Sequence, residues 1–261
     1  PEGLQHPNGD ILVMAHTFIE AGGDSIQIAC PDIYADWPYE IEKTEDGKND
    51  YTKYAEKLKV MAQQIKDAGL SDKAVYVIYN EPEGNWFTSI WSGNMDEFNN
   101  AWKLAYDAVK SVDPDAKIAG PNFATYHGSQ LEKYMKFCAE NDCIPYQMTW
   151  HVLGDPQYVT FHDDVAEFRG FEKKYWIDPG LTTGEMEIVV NEYADFTQLG
   201  VPGQLARWIA LFEDEKATAC LAYWHISNNL CDLAASNNEP NGAWWLFKWY
   251  AEMSGETLNI T

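Results

Sequence analysis

The chain has 261 residues, 46% of them hydrophobic, which is enough for one large core of the size that single barrel domains of ~250 residues enclose. Its 18 basic and 41 acidic residues leave a formal charge of −23, which repels phosphate backbones and anionic lipid surfaces and argues against a nucleic-acid partner. No run approaches the ~20 apolar residues needed to cross a bilayer, so membrane insertion is not expected.

A helix is expected from about Asp10, where Ile11, Met14, Ala15 and Phe18 follow helical spacing and Gly22-Gly23 provide a stop. A strand is predicted over 25–30, ending at Pro31. A long loop over 32–49 then carries Tyr34, Trp37 and Tyr39 and leads into a helix over 51–68 closed by Gly69. The pattern repeats with a strand over 75–79 and a helix over 95–112, whose inner stripe is Phe98, Trp102, Ala105 and Val109. Four further units follow, with strands over 117–119, 146–150, 188–191 and 220–224 and helices over 129–140, 163–175, 204–214 and 242–253. Strands alternating with helices of these lengths imply a parallel sheet with helices outside it. The fold class is therefore α/β, of the (β/α)8 TIM-barrel type, with six of eight strands identifiable, and residues 1–261 read as a single catalytic barrel domain. Two further βα units at ~30 residues each are expected upstream of Pro1. An additional polypeptide segment completing the barrel is the corresponding partner.

The five cysteines, Cys30, Cys138, Cys143, Cys220 and Cys231, are odd in number and lack CxxC spacing, which argues against both a disulfide framework and a zinc site. Whether Cys138 and Cys143 pair locally is left open. Eleven Trp and 15 Tyr exceed what a core alone needs, and the excess divides between helix packing and faces on which sugar rings could stack.

The chemistry lies at the strand ends. Glu81 and Glu192 each directly follow an asparagine at the close of an apolar, β-branched run, over 74–79 and 188–190. Such runs are buried parallel strands by composition, so their last residues surface at one rim of the sheet. Two carboxylates at such a rim are what glycoside hydrolysis requires: one protonates the leaving oxygen and the other attacks or stabilises the anomeric carbon. That chemistry needs no metal or organic cofactor. Trp150-His151 and Trp224-His225 close two further strands, and Asn80, Asn122, His127, Tyr34 and Trp37 are further rim candidates.

Asn80-Glu81-Pro82 together with Glu192 resembles clan A of the glycoside hydrolases, the retaining barrel enzymes. The segments over 32–40, 120–122, 149–151 and 245–255 look most like family 39, which includes β-xylosidases, α-iduronidases and arabinofuranosidase-type enzymes. The resemblance covers nearly the whole chain. It implies that Glu81 is the acid/base at the end of the fourth strand and Glu192 the nucleophile at the end of the seventh. It further implies that Asn80 bonds the sugar 2-hydroxyl, that His151 bonds a sugar hydroxyl or an active-site carboxylate, and that Trp224 lies under the bound sugar. The expected substrate is an oligosaccharide or polysaccharide, a pentose-containing or related plant glycan, which by analogy places the protein outside the cell or at its surface. The chain departs from the clan in two places. Val152, Leu153 and Gly154 follow His151 where many members carry a tyrosine, and the only arginines, Arg169 and Arg207, fall in predicted helices. A carbohydrate-binding barrel without turnover is the rival reading, and an inverting hydrolase a third.

Overall fold

The computed structural model describes residues 11–34, 39–195, 197–222, 234–235 and 239–255. The chain packs as two compact units. One comprises 1–151 and 163–189, the other 152–162 and 190–261.

In the first unit, helix α1 (Ile11–Glu20) precedes strand β1 (Ile26–Ala29). Strands β2 (Ala74–Val77), β3 (Lys117–Phe123) and β4 (Gln147–Trp150) follow in parallel, paired through Ile26↔Ala74, Val75↔Lys117 and Ala119↔Gln147. The first half of β5 (Glu187–Tyr193) continues the sheet through Gln147↔Glu187. With β6 (Thr218–Leu221) the order is β1-β2-β3-β4-β5-β6, strictly sequential, which is what repeated right-handed βα crossovers produce.

Between the strands run α2 (Tyr51–Asp67), α3 (Asp96–Val112), α4 (Gly128–Glu140) and α5 (Asp155–Glu172). Each helix follows from local sequence signals. Asp50 caps α2 by accepting from the Thr52 and Lys53 amides, and Gly69, at a φ of 70°, closes it. The stripe expected on α3 is buried in full: Phe98, Trp102, Ala105 and Val109 are at most 1% exposed. All four residues of β2 are buried, as a strand covered on both faces must be. In the second unit, α6 (Pro202–Glu215) opens on a proline, the helical position at which a missing N–H costs least. The unit also holds α7 (Gly242–Ala251), capped by Asn241, and a two-residue antiparallel ladder of β7 (Ala234–Ala235) with β8 (Glu239–Pro240).

Several boundaries differ from expectation, with β5 running from Glu187 to Tyr193 and β6 starting at Thr218, and three of the differences have a clear cause. Gly120-Pro121 reads as a break after residue 119, yet β3 continues to Phe123, because β4 pairs on both sides of the irregularity and Asn122 is bulged out of register. Helix α5 begins at Asp155 rather than near 163. Pro156 sits in its first turn, where proline is tolerated, and the weak apolar periodicity of 155–162 hid the start. The β2 ladder ends at Val77, so Glu81 stands four residues beyond the pairing. Cys30, Cys138 and Cys143 are buried free thiols and Cys220 is an exposed one.

Gly120 is required by packing. A Cβ built on it would lie 2.4 Å from the fully buried ring of Trp102. Gly120→Ala should therefore cost ~1–3 kcal/mol in chemical denaturation, the usual range for overpacking. Gly170→Ala, in α5 with nothing within 4 Å of the new carbon, should be neutral or stabilising. Equal effects from the two substitutions would contradict this account of the packing.

Candidate active site

The end of β2 is held from below. Tyr79 is buried and its hydroxyl donates to the Ala101 carbonyl at 3.0 Å, while Tyr54 donates to the Ile78 carbonyl. Beyond these anchors Glu81 takes a left-handed conformation, with φ 42° and ψ 55°. Its amide donates to the Asn122 carbonyl at 3.0 Å, and Asn122, itself at φ 63°, donates from Nδ2 to Asn80 Oδ1 at 3.1 Å. Left-handed backbone costs a non-glycine residue about 1 kcal/mol or more, and here two residues on neighbouring strand ends adopt it face to face. Such strain concentrates where a side chain must be aimed.

His151 follows β4. Its amide donates to the Phe123 carbonyl at 2.8 Å, its side chain is fully buried, and Nδ1 lies 3.0 Å from Glu81 Oε1. If Nδ1 carries the proton, the imidazole donates to an ionised carboxylate, and if Glu81 is protonated, Nδ1 accepts. The contact can therefore hold Glu81 in place in either protonation state. One turn further on, Glu83 is fully buried, accepts from the Ala124 amide at 2.7 Å, and lies 3.3 Å from His127 Nε2. The His127 ring packs edge-on to Trp91 and to Phe123.

In the second unit Glu192 sits on β5, with its carbonyl accepting from the Val152 amide at 3.0 Å. The Ala194 amide donates to Val152 at 3.2 Å. The next residue, Tyr193, is buried against Trp208 and Phe212 of α6. Alternation along the strand then turns the half-buried Glu192 away from the helix layer. Just beyond, the amide and hydroxyl of Thr197 hold the Asp195 carboxyl below the usual carboxylate range. Both arginines are committed elsewhere. Arg169 bonds Glu172 and the Met186 carbonyl, and Arg207 bonds Asp155 while lying over the Tyr158 ring.

Of the residues singled out from sequence, Asn80, Glu81, Asn122 and His151 come together at the ends of β2, β3 and β4. His127 joins through Glu83 rather than through Glu81. Tyr34 is buried between Tyr54 and Trp86 and donates to Glu42 at 2.7 Å, with burial and Glu42 pushing its hydroxyl well above the usual tyrosine range. Trp37 and Trp224 lie outside the described residues. Glu83 and Trp91 were not singled out from sequence. The only available signal was the second glutamate of Glu81-Pro82-Glu83, two residues from a candidate acid.

No family model matches the chain. It is 28% identical over 306 aligned residues to a 3-O-β-L-arabinopyranosyl-α-L-arabinofuranosidase from Bifidobacterium pseudocatenulatum, covering all of this chain and 30% of that protein. A 3-O-α-D-galactosyl-α-L-arabinofuranosidase from Bifidobacterium longum subsp. longum is equally similar, with 26% of its length covered. The chain thus spans less than a third of the curated relatives it matches. Among solved structures, a protein from Neocallimastix frontalis superposes with a TM-score of 0.79 at 28% identity, over 94% of this chain and 58% of that one. A family 39 β-xylosidase from Caulobacter crescentus superposes with a TM-score of 0.61 at 14% identity, over 82% and 52%. The chain is thus similar in sequence to two α-L-arabinofuranosidases and in fold to a family 39 β-xylosidase. Its fold is of the (β/α)8 barrel type, with six parallel strands present.

The left-handed residue on β3 yields a direct test. Asn122→Ala and Asn122→Gly both remove the bond to Asn80, but only alanine bears the left-handed penalty at φ 63°. The glycine variant should be the more stable of the two by about 1 kcal/mol in urea denaturation. An alanine variant as stable as the glycine one would show that the backbone relaxes there.

Proposed function

We propose that this chain is the catalytic barrel domain of a retaining glycoside hydrolase acting on a pentose-containing plant glycan. Glu81 serves as acid/base and Glu192 as nucleophile. The observation that carries the reading is the 3.0 Å contact between the buried His151 imidazole and Glu81, at a strand end held in a left-handed conformation. It supports a carboxyl group aimed and steadied for proton transfer. The relatives support the substrate class, since both are named as α-L-arabinofuranosidases. A polymeric plant substrate in turn favours an extracellular or cell-surface location.

In this mechanism Glu192 attacks the anomeric carbon while Glu81 donates its proton to the departing glycosidic oxygen, leaving a glycosyl ester on Glu192. Glu81, now a carboxylate, takes a proton from water as that water attacks the same carbon, which frees Glu192 and restores the acid. Asn80, tied to Asn122, is the candidate partner for the 2-hydroxyl, where a hydrogen bond strengthens as positive charge grows at the ring. His151 holds Glu81 through both half-reactions.

Retention requires the two carboxyl groups to face each other at ~5–5.5 Å, whereas inversion needs room for a water and ~6.5–9.5 Å. A crystal structure of the full-length protein measures that separation directly. A gap near 8 Å would overturn the retaining assignment, and carboxylates in separate compartments would overturn the hydrolase.

The roles separate kinetically. Glu192→Ala should abolish turnover, and azide should restore it as a glycosyl azide of inverted configuration, because a small anion fits the vacated space. Glu81→Ala should lower kcat/KM on alkyl glycosides by roughly 10²–10⁴-fold, the usual contribution of a general acid, and spare aryl glycosides whose leaving groups need no proton. Equal losses on both substrate types would remove Glu81 from the acid's role.

A further inference from the structure

The turn that follows Glu81 holds a side chain the proposed chemistry does not use. Phe87 and Ile90 are fully buried, yet Trp91 beside them is 57% exposed. A lone exposed tryptophan is ordinary. This one is fixed in place from two directions. Gln130 Nε2 donates to the Ile90 carbonyl at 3.2 Å and Lys133 Nζ to the Gly93 carbonyl at 2.7 Å, which fastens the turn to α4. His127 packs edge-on against the indole, with ring centroids 5.1 Å apart at 85°.

Behind His127 stands Glu83, whose Oε1 accepts from the Ala124 amide and lies 3.3 Å from His127 Nε2, outside hydrogen-bond geometry. Its Oε2 is buried and has no hydrogen-bond partner among the described residues. A fully buried carboxylate with one oxygen unmet is costly and calls for an explanation. Here the carboxyl group lies against the imidazole, and the imidazole packs edge-on to the indole, on the segment that begins at the candidate acid. Residues near the acid meet the departing group, because the acid must reach the glycosidic oxygen on its leaving side.

We propose that Trp91 is the stacking platform for the sugar on the leaving-group side of the scissile bond, with His127 and Glu83 as its positioning residues. The inference rests on the reading of Glu81 as the acid. An indole offers a broad face of negative quadrupole to the C–H groups of a sugar ring. The chain's charge of −23 favours a neutral pyranose or furanose there over a uronic acid. Because the platform is rigid before binding, little ordering entropy is lost when the sugar stacks.

The test compares two substrates in the full-length protein: α-L-arabinofuranosyl fluoride, which has no leaving sugar, and an α-L-arabinofuranosyl disaccharide with a neutral hexose as leaving group. For Trp91→Ala the ratio of kcat/KM on the disaccharide to kcat/KM on the fluoride should fall about tenfold, ~1.4 kcal/mol, and Trp91→Phe should recover most of it. An unchanged ratio overturns the platform while leaving the hydrolase standing. If wild type turns over neither substrate, the hydrolase reading fails and calorimetric binding of the disaccharide decides the platform. Weaker binding by Trp91→Ala then supports it, and equal or undetectable binding by both proteins overturns it.

Discussion

The hydrogen bond from the Glu81 amide to the Asn122 carbonyl is the constraint on which the candidate site depends. The ladder between β2 and β3 stops at Val77↔Ala119, so nothing in regular sheet pairing fixes where residue 81 lies. This bond and the Asn122–Asn80 side-chain bond take over where the ladder ends. Both residues hold left-handed backbone where they do so, a conformation outside the extended region of a strand. In the second unit Ala194, two residues beyond Glu192, also has positive φ, 91°.

Strain of this kind persists when what lies beneath it cannot give way. Under the end of β2, Tyr79 touches Tyr54, Trp86, Phe87 and Phe98, and Phe98 continues to Phe123 and Tyr134. Tilted and edge-to-face pairs like these contribute ~0.5–1.5 kcal/mol each beyond their burial, and a close-packed interior transmits rather than absorbs displacement. Much of the aromatic surplus in the composition is spent here. Trp102, Trp150, Trp176 and Trp208 are all fully buried, whereas Trp91, Trp245 and Trp249 are the exposed indoles among the described residues.

The alternation of strands and helices was legible because β2, α3 and β5 carry unbroken buried runs or stripes whose period admits one reading. The places of Glu81 beyond β2 and of Glu192 near the end of β5 were legible for the same reason, since a polar residue at the close of such a run comes out at the strand end. The continuation of β3 was not legible, since Gly120-Pro121 reads locally as a break and only pairing with β4, from far along the chain, overrides it. Helix α5 was read late because its first turns alternate Pro156, Val159 and Phe161 with polar residues on no consistent face. Glu83 and Trp91 were missed because their meaning lies in contacts with Ala124 and His127, some forty residues away, and no local spacing encodes such a contact.

The cations given to the carboxylates follow the demands of their positions. Fixed charges go to helices and loops: Arg169 to Glu172, Arg207 to Asp155, and lysines to Glu42, Glu132 and Asp178. An imidazole also meets a helix carboxylate, His162 against Glu215, but at the end of β2 both glutamates of Glu81-Pro82-Glu83 meet imidazoles, His151 and His127. A guanidinium beside a carboxyl favours its ionised form at every accessible pH, which suits a nucleophile or a structural anchor but disables an acid. An imidazole imposes no such bias, because it can be neutral near pH 7 and can serve as either donor or acceptor. A group that releases a proton in one step and recovers it in the next is served by a neighbour of that second kind, and Glu81 has such a neighbour in His151, which is what the proposed acid/base role draws on.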